Sequence, residues 1–363
     1  MNEQRKKVAL VVTNATGPLP SGPTGLFLPE LAHPYFALEE GGFSTELVSP
    51  AGGKAANDAR HLDQFMDDPQ VARFYRDSAL MALLDATSAP SDLDPAEFAG
   101  VVYVGGHGAP FDYRSSPALN SFAEAVYEAG GVVAAVCHGV CGLIDLKTAE
   151  GEPLVAGRRV TGFSNEEEGS LREVMPYLLE DELLAQGAVY SRTRSWTSHV
   201  VIDGRLVTGQ QHRSAEAFSA ALLRVLAQGV SADLVRAWFA QLPGLSDDGF
   251  ARFVAPDVVN HPAPPRLREG LDAFKQVLRY VHRSAPDQRY TVEEVVAEGD
   301  LVVARVRWAG SFRGEYLGVV GNGERFDVVQ YHTFRLQDGQ IAEHWAARDD
   351  LSLFRQTGVE PPR

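Results

Sequence analysis

The chain has 363 residues, of which 45% are hydrophobic, and it carries a formal net charge of −15 at pH 7. At about 150 residues per domain, this length predicts two domains that each bury a hydrophobic core. The acidic balance argues against nucleic acid or anionic lipid as the main partner, because both would repel the protein.

The amino-terminal start, residues 1–7, is polar and is not followed by an apolar stretch. No uninterrupted apolar run approaches the roughly 18 residues that a membrane span needs. We therefore expect a cytoplasmic protein without membrane contact. Cys137 and Cys141 are its two cysteines, and in a reducing compartment they have no need to form a structural bridge.

Short apolar strands alternate with helical patterns in the first part of the chain. This alternation is typical of a parallel sheet with helices on both faces. The predicted strands are 8–13, 44–49, 100–104, 132–136, 159–161, 198–202 and 206–208, and the predicted helices are 28–40, 117–129, 173–186 and 215 to about 227.

Residues 228–231 predict a seam, because Gly229 can end one helix and Ser231 can cap the next. Helices followed by a run of strands mark the remainder as an α+β domain, and turns are expected at Asp300 and at Asp338-Gly339. We therefore predict domains at 1–228 and 231–363. The predicted helices of the second are 232–241 and 270–285, and its strands are 290–298, 301–312, 324–336 and 340–347.

The apolar run 132–136 stops at Cys137, His138 and Gly139, which is typical of a buried strand that enters a tight turn. If a helix opens at this turn, free backbone N–H groups and the helix dipole would lower the pKa of the thiol to roughly 3.5–7.5. On these residues alone, a buried structural cysteine is the alternative.

Three further segments fall at the carboxyl ends of strands, where open α/β sheets bind ligands. Residues 105–108, Gly-Gly-His-Gly, would let backbone N–H groups approach an oxyanion closely. Glu30 follows the loop after the first strand, and one of the glutamates 166–168 could orient His138. The structural alternatives are a tight turn, a partner for a helix dipole and a solvated acidic helix start.

Together these segments resemble the PfpI/ThiJ superfamily of the class I glutamine amidotransferase-like fold, especially its branch of glutathione-independent glyoxalases and heat-shock chaperones. The resemblance covers residues 1 to about 228 and implies a flavodoxin-like parallel sheet sandwich with a nucleophile elbow. Its motifs are the early Glu30, Gly-Gly-His-Gly at 105–108, Ala-x-Cys-His-Gly at 135–139, Gly-Leu-Ile-Asp at 142–145 and Thr-Gly-Phe at 161–163.

The resemblance implies that Cys137 is the nucleophile, with His138 beside it and Glu30 as an acid–base residue. It also implies a carboxylate that supports His138, which we place at Glu168, with Glu166 as the next choice. The residues expected to bind the substrate oxyanion are Gly106, His107 and Gly108.

The implied reaction converts a 2-oxoaldehyde such as methylglyoxal to a 2-hydroxy acid such as lactate, as in a D-lactate dehydratase. It needs no metal, nucleotide or other cofactor, and its partner is a small carbonyl compound. Residues 211–214 read Gln-His-Arg-Ser, where the family usually has Asn-Pro-x-Ser. This departure leaves the substrate preference open.

Other functional classes compete with this interpretation. Glutamine amidotransferases also use an elbow cysteine, with a histidine near the position of His212, but Ala135 here replaces the first glycine of their Gly-x-Cys-x-Gly motif and Ser214 replaces the glutamate of their His-x-Glu motif. Isonitrile hydratases have related folds. The superfamily also contains holding chaperones and redox sensors, in which a reactive cysteine would be oxidised to the sulfinic acid.

Residues 231–363 resemble the SnoaL-like polyketide cyclases of the cone-shaped, nuclear-transport-factor-two-like fold. The resemblance rests on segments 253–262, 310–314 and 338–345, with Asp349 and Gln356 after them. It implies an internal pocket lined by His261, His332 and Trp345, with Asp349 as its acid–base residue. The alternative roles are ligand binding without chemistry and pairing of two copies into a homodimer.

Overall fold

The computed structural model describes residues 7–19, 22–60, 62–244, 246–337 and 339–361. The chain divides into two compact units, the first ending at Leu226 and the second beginning at Ala227. The polar start before Lys7 and the first residue of the predicted Asp338-Gly339 turn lie outside the described residues.

A six-stranded sheet forms the centre of the first unit. Its strands are parallel except for one edge strand, Val200–Asp203, which runs antiparallel to Leu206–Gly209. All five residues of the central strand Val132–Val136 are buried, as expected for a parallel sheet covered on both faces. The predicted flavodoxin-like sheet is therefore confirmed. In spatial order its strands are Ser44–Val48, Lys7–Val11, Phe98–Tyr103, Val132–Val136, Leu206–Gly209 and Val200–Asp203.

The predicted helices 28–40 and 117–129 are present as Leu28–Glu40 and Pro117–Glu128, and they bury Leu31 and Phe122 in the first core. The predicted helix 173–186 is limited to Leu179–Ala185, because proline at position 176 cannot lie in a helix interior. The remaining elements of this unit are helices Pro69–Arg76, Ser78–Leu83 and Asn165–Glu168, and the paired short strands Pro18–Leu19 with Gly22–Pro23 and Arg159–Val160 with Val189–Tyr190.

Short 3₁₀-helices connect these elements. They are Leu62–Phe65, Pro90–Asp92, Pro95–Glu97, Ala109–Phe111, Cys137–Leu143, Gly169–Glu173 and His212–Ser214 in the first unit, and Leu242–Gly244 and Pro265–Leu267 in the second.

One helix, Ala215–Gln241, runs through the segment where the sequence predicted a break. A Cβ added at Gly229 would meet no atom within 4 Å, and a single glycine weakens a helix by roughly 1 kcal/mol without ending it. The predicted helix end was therefore wrong. Within the described chain, the segment His212–Gly244 is long and apolar enough to cross a membrane by length and composition alone. Part of that apolar character comes from core residues such as Leu222 and Trp238.

The second unit contains a five-stranded sheet, antiparallel except for its first pair of strands. Along Arg325–Gln337 the even-numbered residues from Phe326 to Phe334 are buried, whereas Tyr331 is 52% exposed. Such alternation presents one face of a sheet to the interior, and the predicted α+β class is confirmed. In spatial order the strands are Val254–Asn260, Gln340–Arg348, Arg325–Gln337, Leu301–Ser311 and Arg289–Glu298.

Helices and a short ribbon complete this unit. The amphipathic helix Leu271–Ser284 buries Phe274, and the terminal helix Asp350–Thr357, which the sequence analysis missed, buries Leu353 and Phe354. The remaining elements are helix Asp247–Phe250 and the paired strands Glu315–Tyr316 and Val319–Val320.

Candidate functional site

The first candidate site is built on Cys137, directly after the buried strand Val132–Val136. Cys137 has a φ of 59°, a left-handed conformation that is costly for a residue with a side chain and is often found at functional sites. Gly139 permits the sharp turn, because a Cβ there would lie 2.2 Å from the carbonyl oxygen of Tyr103. This strand and turn form the predicted nucleophile elbow.

His138 links the thiol to a buried carboxylate. Its Nδ1 lies 3.4 Å from Cys137 Sγ, and its Nε2 lies 2.8 Å from Glu168 Oε2. Burial opposes ionisation of Glu168, but the imidazoles of His138 and His107 outweigh it and lower the pKa of the carboxyl. An ionised Glu168 accepts the Nε2–H, so the lone pair of Nδ1 is turned toward the thiol.

The imidazole of His138 is neutral near pH 7, because burial and then the neighbouring His107 lower its pKa. Phe163 covers the ring, with the two ring centroids 4.1 Å apart. A neutral imidazole whose tautomer is held by a carboxylate is the usual form of a general base. The pair is therefore arranged to accept a proton from Cys137.

The side chains of the three consecutive glutamates, residues 166–168, have different partners. Glu166 is exposed and pairs with Arg192. Glu167 accepts hydrogen bonds from Ser164 N at 3.1 Å and from Trp196 N at 2.9 Å, so it supports the local backbone. Of the three, only Glu168 bonds His138, which resolves the choice that the sequence left open.

Glu30 lies on the other side of the thiol. It is fully buried in the first turn of helix Leu28–Glu40, and neither carboxyl oxygen has a hydrogen-bond partner among the described residues. Burial raises the pKa of Glu30 to about 8, with a smaller opposing effect from the Cys137 thiol. A Cβ at Gly105 would lie 2.2 Å from Glu30 Oε2 and 2.8 Å from Cys137 Cβ, so glycine allows the two residues to approach.

The thiol does not have the lowered pKa that the sequence led us to expect. Burial, and then the Glu30 carboxylate, raise the pKa of Cys137 well above its ordinary value. The seven-residue 3₁₀-helix Cys137–Leu143 does not offset this loss of solvent. A base must therefore remove the proton before Cys137 can act as a nucleophile, and His138 Nδ1 lies 3.4 Å from Sγ.

The glycine turn 105–108 offers two candidate oxyanion donors. Within the described chain, the backbone N–H groups of Gly106 and His107 make no hydrogen bond to other backbone groups. Gly108 does not fit its predicted donor role, because its N–H donates to Gly25 O at 3.1 Å. It serves close packing instead, since a Cβ there would lie 2.5 Å from Ala15 O.

His107, His138 and Glu168 form the one group of three potential metal ligands in the described part of the chain, with ligand atoms all within 4.8 Å of one another. The shortest link in this group is the 2.8 Å hydrogen bond between His138 and Glu168. His107 Nε2 lies 3.3 Å from the second Glu168 oxygen. A metal ion on these atoms would replace the hydrogen bond that sets the tautomer of His138.

His212 and Cys141 stand apart from this chemistry. His212 packs against Phe27 and Trp196, with ring centroids 5.6 and 5.8 Å away, and burial lowers its pKa to about 4. No described hydrogen bond joins it to Cys137, as an amidotransferase arrangement would require. Cys141 is fully buried, and burial raises the pKa of its thiol. Trp196, half exposed at a φ of 63°, carried no signal in the sequence.

The second candidate site is a cavity of about 980 Å³ in the second unit. His261 and His332 are on its wall, as the sequence predicted. Eight Phe, Tyr and Trp side chains are among its lining residues. The lining also includes Asn260, Phe274, Tyr290, Trp308, Gln330, Phe334, His344 and Arg348.

Trp345 and Asp349 are not on that wall. From strand Gln340–Arg348 the cavity is lined by His344, Ala346 and Arg348, whereas Trp345 stacks on His261 with ring centroids 4.4 Å apart. Asp349 is exposed and caps the terminal helix by accepting a hydrogen bond from Ser352 N at 3.0 Å, which lowers its pKa. The prediction of Asp349 as a pocket acid was wrong, and a strict count of two along the strand would have indicated His344.

Comparison with known proteins covers both parts of the chain. The family model of the DJ-1/PfpI family matches residues 28–225, more than half of the chain. The family model of the SnoaL-like polyketide cyclases matches residues 233–357.

Named relatives match the first part. Glyoxalase 3 of Candida albicans is 34% identical over 205 residues, which cover 53% of this chain and 85% of the relative. The glutathione-independent glyoxalase HSP31 of Saccharomyces cerevisiae is 32% identical over 223 residues, which cover 58% of this chain and 93% of the relative.

Solved structures agree with these matches. The Rapid Encystment Protein 24 KDa of Francisella tularensis superposes with a TM-score of 0.58 at 33% identity, over 61% of this chain and 99% of that one. Glyoxalase III from Candida albicans gives a TM-score of 0.54 at 29% identity, over 60% and 96%. The chain therefore belongs to the DJ-1/PfpI family, and a SnoaL-like domain follows its family domain.

Proposed function

We propose that the first domain is a cysteine-dependent, glutathione-independent glyoxalase that converts a 2-oxoaldehyde such as methylglyoxal and water to a 2-hydroxy acid. One observation carries the proposal: Cys137 lies between a neutral imidazole base and a carboxyl group that keeps its proton near pH 7. The relatives named as glyoxalases support the same reaction.

In the first step, Cys137 Sγ bonds to the aldehyde carbon while His138 Nδ1 takes the thiol proton. The aldehyde oxygen becomes an alkoxide, which the N–H groups of Gly106 and His107 stabilise. His138 then returns the proton to that oxygen. The product is a hemithioacetal, and His138 is neutral again.

Two groups then move the hydrogen from the aldehyde carbon to the neighbouring carbon. His138 takes the C–H proton while Glu30 protonates the ketone oxygen, which gives an enediol bound through sulfur. Glu30 next takes a proton from the hydroxyl on the first carbon, and His138 protonates the second carbon. This restores both groups and leaves a thioester of the 2-hydroxy acid.

Water completes the cycle. His138 removes a proton from a water molecule that attacks the thioester carbonyl, the bond to Sγ breaks, and His138 gives that proton to the thiolate. The net reaction consumes one water per oxoaldehyde. Glu168 holds the imidazole in the tautomer that each proton transfer needs.

For the second domain we propose an accessory role, ligand binding in its cavity together with pairing into a homodimer. Exposed apolar side chains on its sheet support pairing: Val296 is 68% exposed and lies opposite Val303, which is 41% exposed. We also propose a cytoplasmic location, supported by the two unbridged cysteines Cys137 and Cys141 and tested by cell fractionation. Sedimentation equilibrium of the full chain should give twice the monomer mass, and a monomer at micromolar concentration would contradict the dimer.

Removal of the nucleophile should abolish the proposed activity. Cys137→Ala is expected to form no lactate from methylglyoxal in the absence of glutathione, whereas Cys141→Ala, which removes the other buried thiol, should keep most of the turnover. Lactate is measured with a stereospecific lactate dehydrogenase. Undiminished turnover in Cys137→Ala would remove the basis of the proposal.

Gln substitutions at Glu166, Glu167 and Glu168 are matched controls for one another, because each removes one carboxylate from the same short helix. Glu168→Gln should lower kcat by about 10²–10⁴-fold, because the imidazole loses the acceptor that sets its tautomer. Glu166→Gln should change neither kcat nor the melting temperature, and Glu167→Gln should lower the melting temperature because a buried acceptor is lost. Equal losses of kcat in Glu166→Gln and Glu168→Gln would contradict the assigned support.

The raised pKa values of Cys137 and Glu30 predict that both turnover and thiol reactivity depend on pH. Glu30 is protonated below about pH 8, so turnover should fall as the pH rises through that value. Glu30→Gln removes the carboxylate that opposes the thiolate, so the midpoint for alkylation of Cys137 by iodoacetamide should move to lower pH. Mass spectrometry of the Cys137 peptide measures this midpoint. Glu40→Gln, an exposed change on the same helix, is the control, and an unchanged midpoint in Glu30→Gln would refute the pairing.

A further inference from the structure

Five aromatic rings from separate segments of the first domain contact one another in series beside the Cys137 site, and we call them the aromatic wall. In order they are Phe65, Phe27, His212, Trp196 and Phe163. The centroids of neighbouring rings lie 5.0 to 5.8 Å apart, mostly in the edge-to-face arrangement that aromatic pairs prefer. The last ring contacts the catalytic base, since the centroids of Phe163 and His138 lie 4.1 Å apart.

Two members of the wall are bonded to the backbone around the thiol. The N–H of Phe27 donates to Gly105 O at 3.0 Å, and the N–H of Phe163 donates to Cys137 O at 3.4 Å. Phe27 also immediately precedes helix Leu28–Glu40, which carries Glu30. The wall is therefore built on the same backbone that presents the nucleophile and its acid.

The wall is not buried in the way that a core is. Trp196 is 50% exposed, and Phe27, Phe65 and His212 are half-buried. By contrast, the edge-to-face pair Phe98 and Phe122 in the same domain is fully part of the core. Partly exposed rings that are grouped next to reactive residues are typical of a ligand-binding surface.

Trp196 is held in an unfavourable backbone conformation. Its φ of 63° is left-handed, and its N–H donates to Glu167 Oε1 at 2.9 Å. Gln210 Nε2 donates to the same oxygen at 2.9 Å. Such strain persists only where the surroundings impose it, and it is concentrated at active sites and ligand clamps. The adjacent carboxylates of Glu167 and Glu168 thus position the wall and the catalytic imidazole from one short helix.

The segment that carries His212 is joined to the segment that carries Trp196. Gln211 Nε2, next to His212, donates to the carbonyl oxygen of Thr197, next to Trp196, at 3.0 Å. The two rings are therefore held near each other before any ligand binds, with their centroids 5.8 Å apart. A site that is ordered in advance loses less free energy when it binds its ligand.

His212 gives this chain a ring at a position where the family pattern has proline, because residues 211–214 read Gln-His-Arg-Ser in place of Asn-Pro-x-Ser. Burial, and then the neighbouring Arg213, lower the pKa of His212 to about 4. The imidazole is therefore uncharged at neutral pH. Beside Trp196 it offers a flat contact surface that a proline ring does not.

The substituent on the ketone carbon is the variable part of a 2-oxoaldehyde, since the catalytic groups act on the two carbonyl carbons. A methyl substituent is too small to contact several rings of the wall at once. A flat aromatic substituent can stack on one ring while it meets the edge of another. Even one methylene in an apolar pocket changes kcat/KM by roughly 10–200-fold.

We propose that Trp196 and His212 determine the substrate specificity of the Cys137 site by binding a flat, uncharged aromatic substituent on the ketone carbon. Arylglyoxals are then better substrates than methylglyoxal, and the bond changes at the two carbonyl carbons remain those of the proposed reaction. This inference rests on the proposed glyoxalase function and supplies the substrate preference that the departure at residues 211–214 left open.

The full chain is tested without glutathione on phenylglyoxal, cyclohexylglyoxal and methylglyoxal. Cyclohexylglyoxal carries a ring of similar size that is not flat. Chromatography of the 2-hydroxy acids that form gives kcat and KM for each substrate. We expect kcat/KM for phenylglyoxal to exceed that for each of the other two on the order of tenfold, mainly through a lower KM.

Two variants test the assignment, Trp196→Leu and His212→Pro, the second of which restores the residue of the family pattern. Each should lower the ratio of kcat/KM for phenylglyoxal to kcat/KM for methylglyoxal on the order of tenfold. Tyr75→Leu is the control, because it removes an aromatic ring of similar exposure, 46%, that is not part of the wall. The ratio should stay unchanged in this control.

The outcomes separate the specificity from the reaction. A parent protein that converts methylglyoxal but does not favour phenylglyoxal, or an unchanged ratio in both wall variants, would overturn the assignment of Trp196 and His212 and leave the glyoxalase function. Absence of a 2-hydroxy acid from every substrate in the parent protein would overturn the glyoxalase function and the assignment together.

Discussion

Close backbone packing at the carboxyl end of the first sheet is the constraint on which the Cys137 site depends. Gly139 lets the elbow approach the carbonyl of Tyr103, and Gly105 leaves the space in which Glu30 approaches Cys137. A Cβ at either position would lie 2.2 Å from a neighbouring atom. The glycines are needed for this close approach, and the reactive geometry follows from the packing that they allow.

Burial then determines which groups carry protons. It keeps His138 neutral and Glu30 protonated near pH 7, and it raises the pKa of the Cys137 thiol. Glu168 is the exception, because two imidazoles offset its burial. The result is a base and an acid on either side of an un-ionised nucleophile, an arrangement suited to moving protons between adjacent carbon atoms. Burial also keeps His332 and His344 neutral in the second domain, where no carboxylate among the described residues raises their pKa values.

The fold class and many element boundaries followed from local patterns. Helix Leu28–Glu40 and strand Val132–Val136 occur where periodicity predicted them, since apolar spacing records which face is buried. The break predicted at Gly229 failed because a glycine permits a helix end without requiring one. In the second domain, successive residues of strand Gln340–Arg348 point to opposite faces of the sheet, so His344 lines the cavity and Trp345 does not.

The sequence by itself determined which residue types meet at the elbow, because Cys137, His138 and the glycine turn 105–108 lie at strand ends whose sheet edge follows from the α/β pattern. Only the tertiary structure decided that Glu168 rather than Glu166 bonds His138, and that the N–H of Gly108 donates to the carbonyl of Gly25. It also decided that the side chains of Asn260, His344, His332 and Gln330 are hydrogen-bonded in series. Two of the deciding contacts join residues far apart in the chain, 30 positions for His138 and Glu168 and 84 positions for Asn260 and His344. These outcomes also depend on how much solvent each group loses, and neither the contacts nor the loss of solvent is encoded in local spacing.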